Sequence, residues 1–328
     1  MVTGNYRRDF NYQLPITNYQ QGSLLVIALW LIVILATLAV VVSGGLSTET
    51  RMMRYQWAKA QARAWARAGV ILAMQRLAQD AKQIDEPYDW LGDDWACFSQ
   101  GEPDADSTVW IVQRPVEGTD PARFSGHIAI QIVDEERKLN LNVATQEMLA
   151  HLLGHREVAR AILDYQAPIR LIEEFWLIPG LGAQAQIQQA LTQYTTVYTE
   201  GAININTAHT EVLAAIAGEP SLAERLTGSR PGPDGQLGTA DDCRATMAST
   251  AAIELASCAN VDEEVLVSLF TKANVVVRSA VFRILTVGKV HKPLVRYRIE
   301  AVVRHGGAGG QPIRVSGEPF QILTWREG

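Results

Sequence analysis

The sequence predicts an α+β fold. A long N-terminal helix, its first half in a membrane, packs on an antiparallel sheet that carries a large, mainly α-helical insertion. Three observations point there. Residues 23–42 read SLLVIALWLIVILATLAVVV without one charge. Strand-like runs lie before residue 135 and after residue 274. Between them sits a helical stretch with an internal repeat.

The uncharged run comes first. Helical residues rise about 1.5 Å each, so a run of this length reaches about 30 Å, the thickness of a bilayer's hydrocarbon core. A soluble domain rarely buries so long a run with no polar face. A secretory signal has a shorter apolar stretch of about 7–15 residues before a small-residue cleavage site. Ser43-Gly44-Gly45-Leu46-Ser47 offers small residues, but an uncleaved anchor is the better physical reading. A third reading is a prepilin-type signal, cut between Gly22 and Ser23 so that the apolar run becomes the mature N-terminus. Its leader would be Met1 to Gly22, polar, with Arg7 and Arg8 against Asp9. The charge rule opposes a translocated C-terminal part. Arg51, Arg54, Lys59, Arg63 and Arg67 against Glu49 make the flank after the run the more basic one, and basic flanks normally stay cytoplasmic.

The chain has 328 residues, room for two domains beyond the anchor, and a net charge of −6. That balance argues against bulk electrostatic attraction to nucleic acid. Of the three cysteines, Cys243 and Cys258 flank a short helical stretch and are close enough in sequence to bridge, which leaves Cys97 over. Three inert thiols of a reduced protein fit the count equally well. There is no CxxC and no His/Cys cluster with zinc spacing.

From Gln56 to Gln79 the chain is rich in strong helix formers. Ala58, Ala62, Trp65, Ala66, Gly69, Val70, Ala73 and Leu77 fall on one helical face, with Lys59, Arg63 and Arg67 on another. One long helix results, loosened at Ser43-Gly44-Gly45, and Pro87 closes the region. Strand-like runs follow at Val109–Val112, His127–Val133, Asn274–Val287 and Leu294–Arg304, with a last one over Pro312–Trp325. In Leu294–Arg304 the residues Val295, Tyr297, Ile299, Ala301 and Val303 alternate with Arg296, Arg298 and Glu300, the period of a sheet with one buried face.

The interruption contains the repeat. KLNLNVATQEMLAHLLG (Lys138–Gly154) matches AININTAHTEVLAAIAG (Ala202–Gly218). Asn140 aligns with Asn204, Asn142 with Asn206, Glu147 with Glu211, Leu149 with Leu213 and Gly154 with Gly218. Each copy reads as an extended entry, an Asn able to cap, then an amphipathic helix ended by Gly. Pro179-Gly180-Leu181-Gly182 makes a tight turn between two helices. Repeat and turn together suggest a helix-hairpin-helix or SAM-like module, whose Gly turn can offer backbone N–H groups to a phosphate. No Lys or Arg lies near Pro179–Gly182, so the glycines read equally well as a close helix approach.

One ligand site stands out. Pro231 to Asp242 gathers turn residues and the carboxylates of Asp234, Asp241 and Asp242, oxygens of the kind a hard cation such as Ca²⁺ takes from a flexible loop. It does not follow the EF-hand pattern. A solvated acidic loop stapled by Cys243 is the plain alternative. No catalytic constellation appears. His151, His155 and His209 lie on the repeat helices, Glu173 and Glu174 are adjacent and face different sides, and GxSxG, Walker and HExxH motifs are missing.

Read together, four segments resemble the K-type minor pseudopilin of bacterial type II secretion, from about Gln21 onward. They are QGSLLVIALWLIVILATLAVV with AQARAWARAGVILAMQRLAQD, then IVDEERKLNLN (Ile132–Asn142), the unit from Leu177 to Ile216, and NVVVRSAVFRILTV (Asn274–Val287). The resemblance implies a prepilin leader (1–22) removed by prepilin peptidase, a transmembrane segment (23–42) and a periplasmic half-helix (43–85). It further implies a pseudopilin domain from 86–139 and 273–328, with 140–272 inserted. It implies an inner-membrane protein with its globular part in the periplasm, where a Cys243–Cys258 bridge could form, and Ca²⁺ bound in that part. No cofactor is required for its role. Implied partners are other minor pseudopilins, the major pseudopilin, secreted substrates and the outer-membrane channel, with no nucleic acid. With Ser23 first, the fifth mature residue is Ile27, where most pilin-like proteins carry a Glu that neutralises a neighbour's N-terminal amine. The K type lacks that Glu, which fits a subunit at the tip. The chain departs from the family at Gln21, usually basic, and at Ser23, usually large and apolar. The neighbouring readings are a minor pilin of a type IV pilus and a membrane-anchored helix-hairpin-helix protein that binds DNA.

Overall fold

The structure, a computed structural model, describes residues 19–83, 85–96, 110–114, 126–165, 168–178, 185–306 and 313–328. The Pro179–Gly182 turn and Cys97 lie outside the described residues. The chain divides into two units, Met1–Gln56 and Trp57–Gly328. Helix α1 (Tyr19–Asp80) contributes to both. Within the first unit, Leu24–Val42 is an apolar helical stretch of 19 residues with mean hydropathy 3.2, none of it buried. The expected loosening at Ser43-Gly44-Gly45 is absent from the backbone, which stays helical there.

The second unit is α+β. Among the described residues its strands are β1 (Trp110–Arg114), β2 (Gly126–Asp134), β3 (Leu139–Asn140), β4 (Thr195–Thr196), β5 (Ala202–Asn204), β6 (Asn274–Val276), β7 (Val281–Val290), β8 (Val295–His305), β9 (Ile313–Val315) and β10 (Glu318–Glu327). Six form one sheet, in the order β1-β2-β7-β8-β10-β9, antiparallel throughout. The alternation in β2 and β7 turns Ile128, Ile130, Ile132, Phe282 and Ile284 inward, where they meet Ala66, Val70, Ala73, Met74 and Leu77 of α1. The helical face read from the sequence is the face that packs. Small residues let helix and sheet approach closely: a Cβ on Gly288 would stand 2.0 Å from the Ala62 carbonyl oxygen. Arg63 and Arg67, on the neighbouring face, pair with Glu327 at 2.6 and 2.8 Å.

Two expected strands divide. Asn274–Val287 splits into β6 and β7, which belong to different sheets. Pro312–Trp325 becomes the hairpin β9–β10, turning at Ser316 and Gly317, both with positive φ. Helix α1 ends at Asp80, before Pro87.

Between β3 and β6 lie α2 (Gln146–Leu153), α3 (Arg156–Leu163), a 3₁₀ turn (Ile172–Leu177), α4 (Ala185–Tyr194), α5 (Thr210–Ala217), α6 (Pro220–Gly228), α7 (Ala251–Ala259) and α8 (Glu263–Lys272). They enclose a second core around Leu149, Leu191, Leu213 and Leu266. The repeat folds as two equivalent units: a short strand in parallel pairing (β3 with β4, β5 with β6) followed by a helix hairpin (α2–α3, α5–α6). Gly154 and Gly218 end α2 and α5 in the left-handed region, φ 71° and 74°.

The expected Asn caps are a correction. Thr145 caps α2, and α5 starts at His209 without a side-chain cap. Asn140 and Asn204 instead turn their Oδ1 onto the N–H two residues ahead, at 2.7 and 3.0 Å. They shape the turn before the helix rather than its first turn. Glu173 and Glu174 also sit differently, on the 3₁₀ turn. Glu173 pairs with Arg326, and Glu174 accepts the Leu171 N–H at 3.1 Å.

Candidate functional site

Three places hold the residues that bear on function: the apolar segment, the acidic loop and a buried polar joint.

In the apolar segment Ile27 is 54 % exposed, like its neighbours Leu24 to Val42. Gly22 and Ser23 lie within α1. Their side-chain surroundings are outside the described residues.

The acidic loop joins α6 to α7. Positive φ at Gly232, Gly235 and Gly238 (62°, 72° and 94°) folds it back on itself. At Gly232 a Cβ would stand 2.5 Å from the Asp241 carbonyl oxygen, so only Gly fits. The fold brings Asp234, Asp241 and Asp242 together, with one oxygen of each within 4.8 Å of the others. Asp242 is buried and accepts the Gly238 N–H at 2.8 Å. The Thr239 hydroxyl lies 2.7 Å from Asp241 Oδ1 and holds the Asp241 carboxyl below its ordinary range. Among the described residues no Lys or Arg forms an ion pair with the three. Oxygen donors of net negative charge, on a loop that already converges them, fit a hard cation. Directly after the loop, Cys243 stands 5.8 Å (Cα–Cα) from Cys258, inside the span of a disulfide.

The joint was not read from the sequence. It is built on Asp134 to Lys138, the charged run that leaves β2. Asp134 accepts from the hydroxyls of Thr207 (2.5 Å) and Ser279 (2.7 Å) and from the Glu136 N–H (2.7 Å). Asn204 adds a longer contact at 3.4 Å and donates at 2.8 Å to Ser279. Burial pushes the Asp134 carboxyl up. Glu135, fully buried, takes Lys138 at 3.0 Å, Arg283 at 2.6 Å and the Thr196 hydroxyl at 2.5 Å. Those cations and the hydroxyl outweigh burial and hold its carboxyl down to about 2. Glu136 accepts the Ala280 N–H, but burial and the Asp134 carboxylate outweigh that bond and raise it to about 8. The joint ties β2 and β7 of the large sheet to both repeat units. Its only signal in the sequence is the density of charge at 134–138 within an apolar strand's continuation.

Two of the three histidines of the repeat region contact neighbouring elements. His209 packs edge-on against Tyr194 and lies 3.4 Å from Arg137; burial and that cation press it down to about 3. His151 Nδ1 lies 3.3 Å from the Ala215 carbonyl, linking the two repeats. His155 opens α3 without a cap bond. In the joint, every carboxylate is engaged in holding elements together.

No protein-family model matches the chain, and no curated protein matches it by sequence. Among solved structures it matches a chain of the crystal structure of the GspK-GspI-GspJ complex from the enterotoxigenic Escherichia coli type 2 secretion system. The TM-score is 0.56 at 17 % identity, over 84 % of this chain and 99 % of that one. At that identity the likeness is one of fold. The chain shares the α+β architecture of a protein from that complex, and the described residues include one apolar helix of membrane length, Leu24–Val42.

Proposed function

We propose that the chain is a non-enzymatic minor pseudopilin of the K type, held in the inner membrane by Ser23–Val42 with residues 43–328 in the periplasm. The observation that carries this reading is the shared fold, which extends over 84 % of this chain and 99 % of the matched one. Prepilin peptidase removes residues 1–22 between Gly22 and Ser23. Ile27 at the fifth mature position leaves no carboxylate for a neighbour's amine, which suits a subunit that caps a pseudopilus and starts its assembly. Its partners are other minor pseudopilins beside or below it, and the major pseudopilin after them. In this reading 140–272 is an insertion of helix-hairpin-helix or SAM-like type into the pseudopilin domain of 86–139 and 273–328. Asp234, Asp241 and Asp242 hold Ca²⁺, and Cys243–Cys258 closes the base of that loop. One titratable thiol under denaturing, non-reducing conditions is the expected count for such a bond; three would refute it.

Deleting the gene in its own host, then restoring it, tests the role. Type II export across the outer membrane should stop and return with the full chain, but not with a chain lacking residues 1–42. Export that continues unchanged after deletion would refute the role.

A further inference from the structure

The second repeat unit opens on an uncapped helix beside two arginines. In the first unit Thr145 caps α2, its hydroxyl accepting the Met148 N–H at 3.2 Å. The aligned residue of the second unit is His209, and α5 starts there with no side-chain cap. The N–H groups of a helix's first turn carry partial positive charge and have no partner within the helix. Glu211, the acid of that turn, is engaged instead by the Tyr194 hydroxyl at 2.8 Å.

Two guanidinium groups reach the same place. Arg137, from the turn after β2, lies 3.4 Å from His209 Nδ1, and its main-chain carbonyl accepts the His209 N–H at 3.3 Å. Its Nε is buried with no hydrogen-bond partner. Arg230, just past α6, donates at 2.8 Å to the Ile205 carbonyl, on the turn that leads into α5. The Thr210 hydroxyl lies 2.9 Å from that of Thr227 and ties the start of α5 to the end of α6. Among the described residues neither arginine is in an ion pair. Asp134, Glu135 and Glu211 act on Arg137 from a distance, but each has closer partners: Thr207 and Ser279, Lys138 and Arg283, and Tyr194 respectively. Burial, and after it the Arg137 guanidinium, push Arg230 down to about 9, with no carboxylate to offset them. Holding two such cations together without an anion is costly. Arg137, His209, Thr210 and Arg230 are all partly exposed, so the place is open to solvent.

We propose that the N-terminus of α5, with Arg137 and Arg230, binds a tetrahedral oxyanion such as inorganic phosphate or sulfate. Uncapped helix amides and guanidinium forks are the donors that oxyanions take. Donors from three separate elements suit an anion with more than the two oxygens of a carboxylate. The ion takes the place that the Thr145 hydroxyl fills in the first unit, and it braces the turn after β2 against the α5–α6 hairpin. The inference depends on no part of the function proposed above.

Melting and titration calorimetry of the full chain in detergent test it. Inorganic phosphate is the probe, and sodium chloride holds ionic strength constant. EGTA is present throughout, so that the acidic loop is silent. Phosphate should bind, and should raise the melting temperature with its concentration; sulfate should do the same. Arg137→Gln and Arg230→Gln should each weaken phosphate binding at least about tenfold, as the loss of a charge-assisted bond does. These variants also separate a site from the general stabilisation that both anions give as salts. His209→Thr restores a hydroxyl cap. It should raise the melting temperature without phosphate and shrink the response to phosphate. A parent chain that responds to phosphate no more than to chloride overturns the proposal. Phosphate binding that is unchanged in either arginine variant does so too. If an arginine variant shows no melting transition, His209→Thr decides, and an undiminished response there overturns the proposal.

Discussion

Asn206 grips Ala245 with both ends of its side-chain amide. Its Oδ1 accepts the Ala245 N–H at 2.8 Å, and its Nδ2 donates to the Ala245 carbonyl at 2.9 Å. One repeat earlier, Asn142 grips Ile169 in the same way, at 2.8 and 2.9 Å. The sequence repeat is therefore a repeat of mechanism. In each copy the first Asn bends the chain into its helix, and the second pins a distant backbone segment to that bend.

Asn206 is buried and Asn142 is largely exposed, so the two grips should differ in worth. Asn206→Ala leaves two buried backbone groups of Ala245 unpaired and should cost about 2–4 kcal/mol. Asn142→Ala, where water can replace the amide, should cost about 1 kcal/mol. Chemical denaturation of the two variants checks this. Equal losses would mean that burial does not set the value of the grip.

Gly288 should be a demanding glycine of the sheet. A Cβ there meets the backbone of Ala62 and Ala66, which can yield only if α1 moves off the sheet. Gly288→Ala should destabilise by about 3 kcal/mol. Gly154→Ala should cost about 1–2 kcal/mol, since its site is open and only the left-handed backbone resists. A melting comparison in which Gly154→Ala is the more damaging would contradict the close helix–sheet approach.

Much of this was legible in the sequence, because apolar periodicity records which face is buried. The buried positions of α1 from Ala58 to Leu77 and the inward residues of β8 were read directly. Gly154 and Gly218 announced their helix ends. The joint was hidden because Asp134, Ser279 and Thr207 are ordinary polar residues far apart in the chain, and only the fold shows that they meet. Periodicity also cannot tell where an apolar strand-like run changes sheets. That is why β6 and β7 looked continuous across Val277–Ala280.

Glu136 gives a pH signature. Its folded carboxyl is raised to about 8 from an ordinary value of 4.5, so the folded chain keeps a proton that the unfolded chain releases. Stability from this group is complete below about pH 4.5 and is lost as pH rises through about 8. Glu136→Gln carries no such loss. The melting temperature of the variant minus that of the parent should therefore climb between about pH 5 and pH 8.5. A difference that stays level or falls would show that Glu136 is charged in the folded chain.

The acidic loop should respond to Ca²⁺. Ligands that bind only the folded state raise its stability with concentration. Added Ca²⁺ should raise the melting temperature of the full chain in detergent, EGTA should reverse it, and the double variant Asp234→Asn, Asp241→Asn should lose the response. No shift in the parent chain would leave the loop a solvated acidic turn.

The intact mass of the membrane-extracted protein, from a host that carries prepilin peptidase, bears most directly on the assignment as a pseudopilin. A mass beginning at Ser23 is the expected result. A chain that still carries Met1–Gly22 would contradict it and leave Ser23–Val42 as an ordinary anchor.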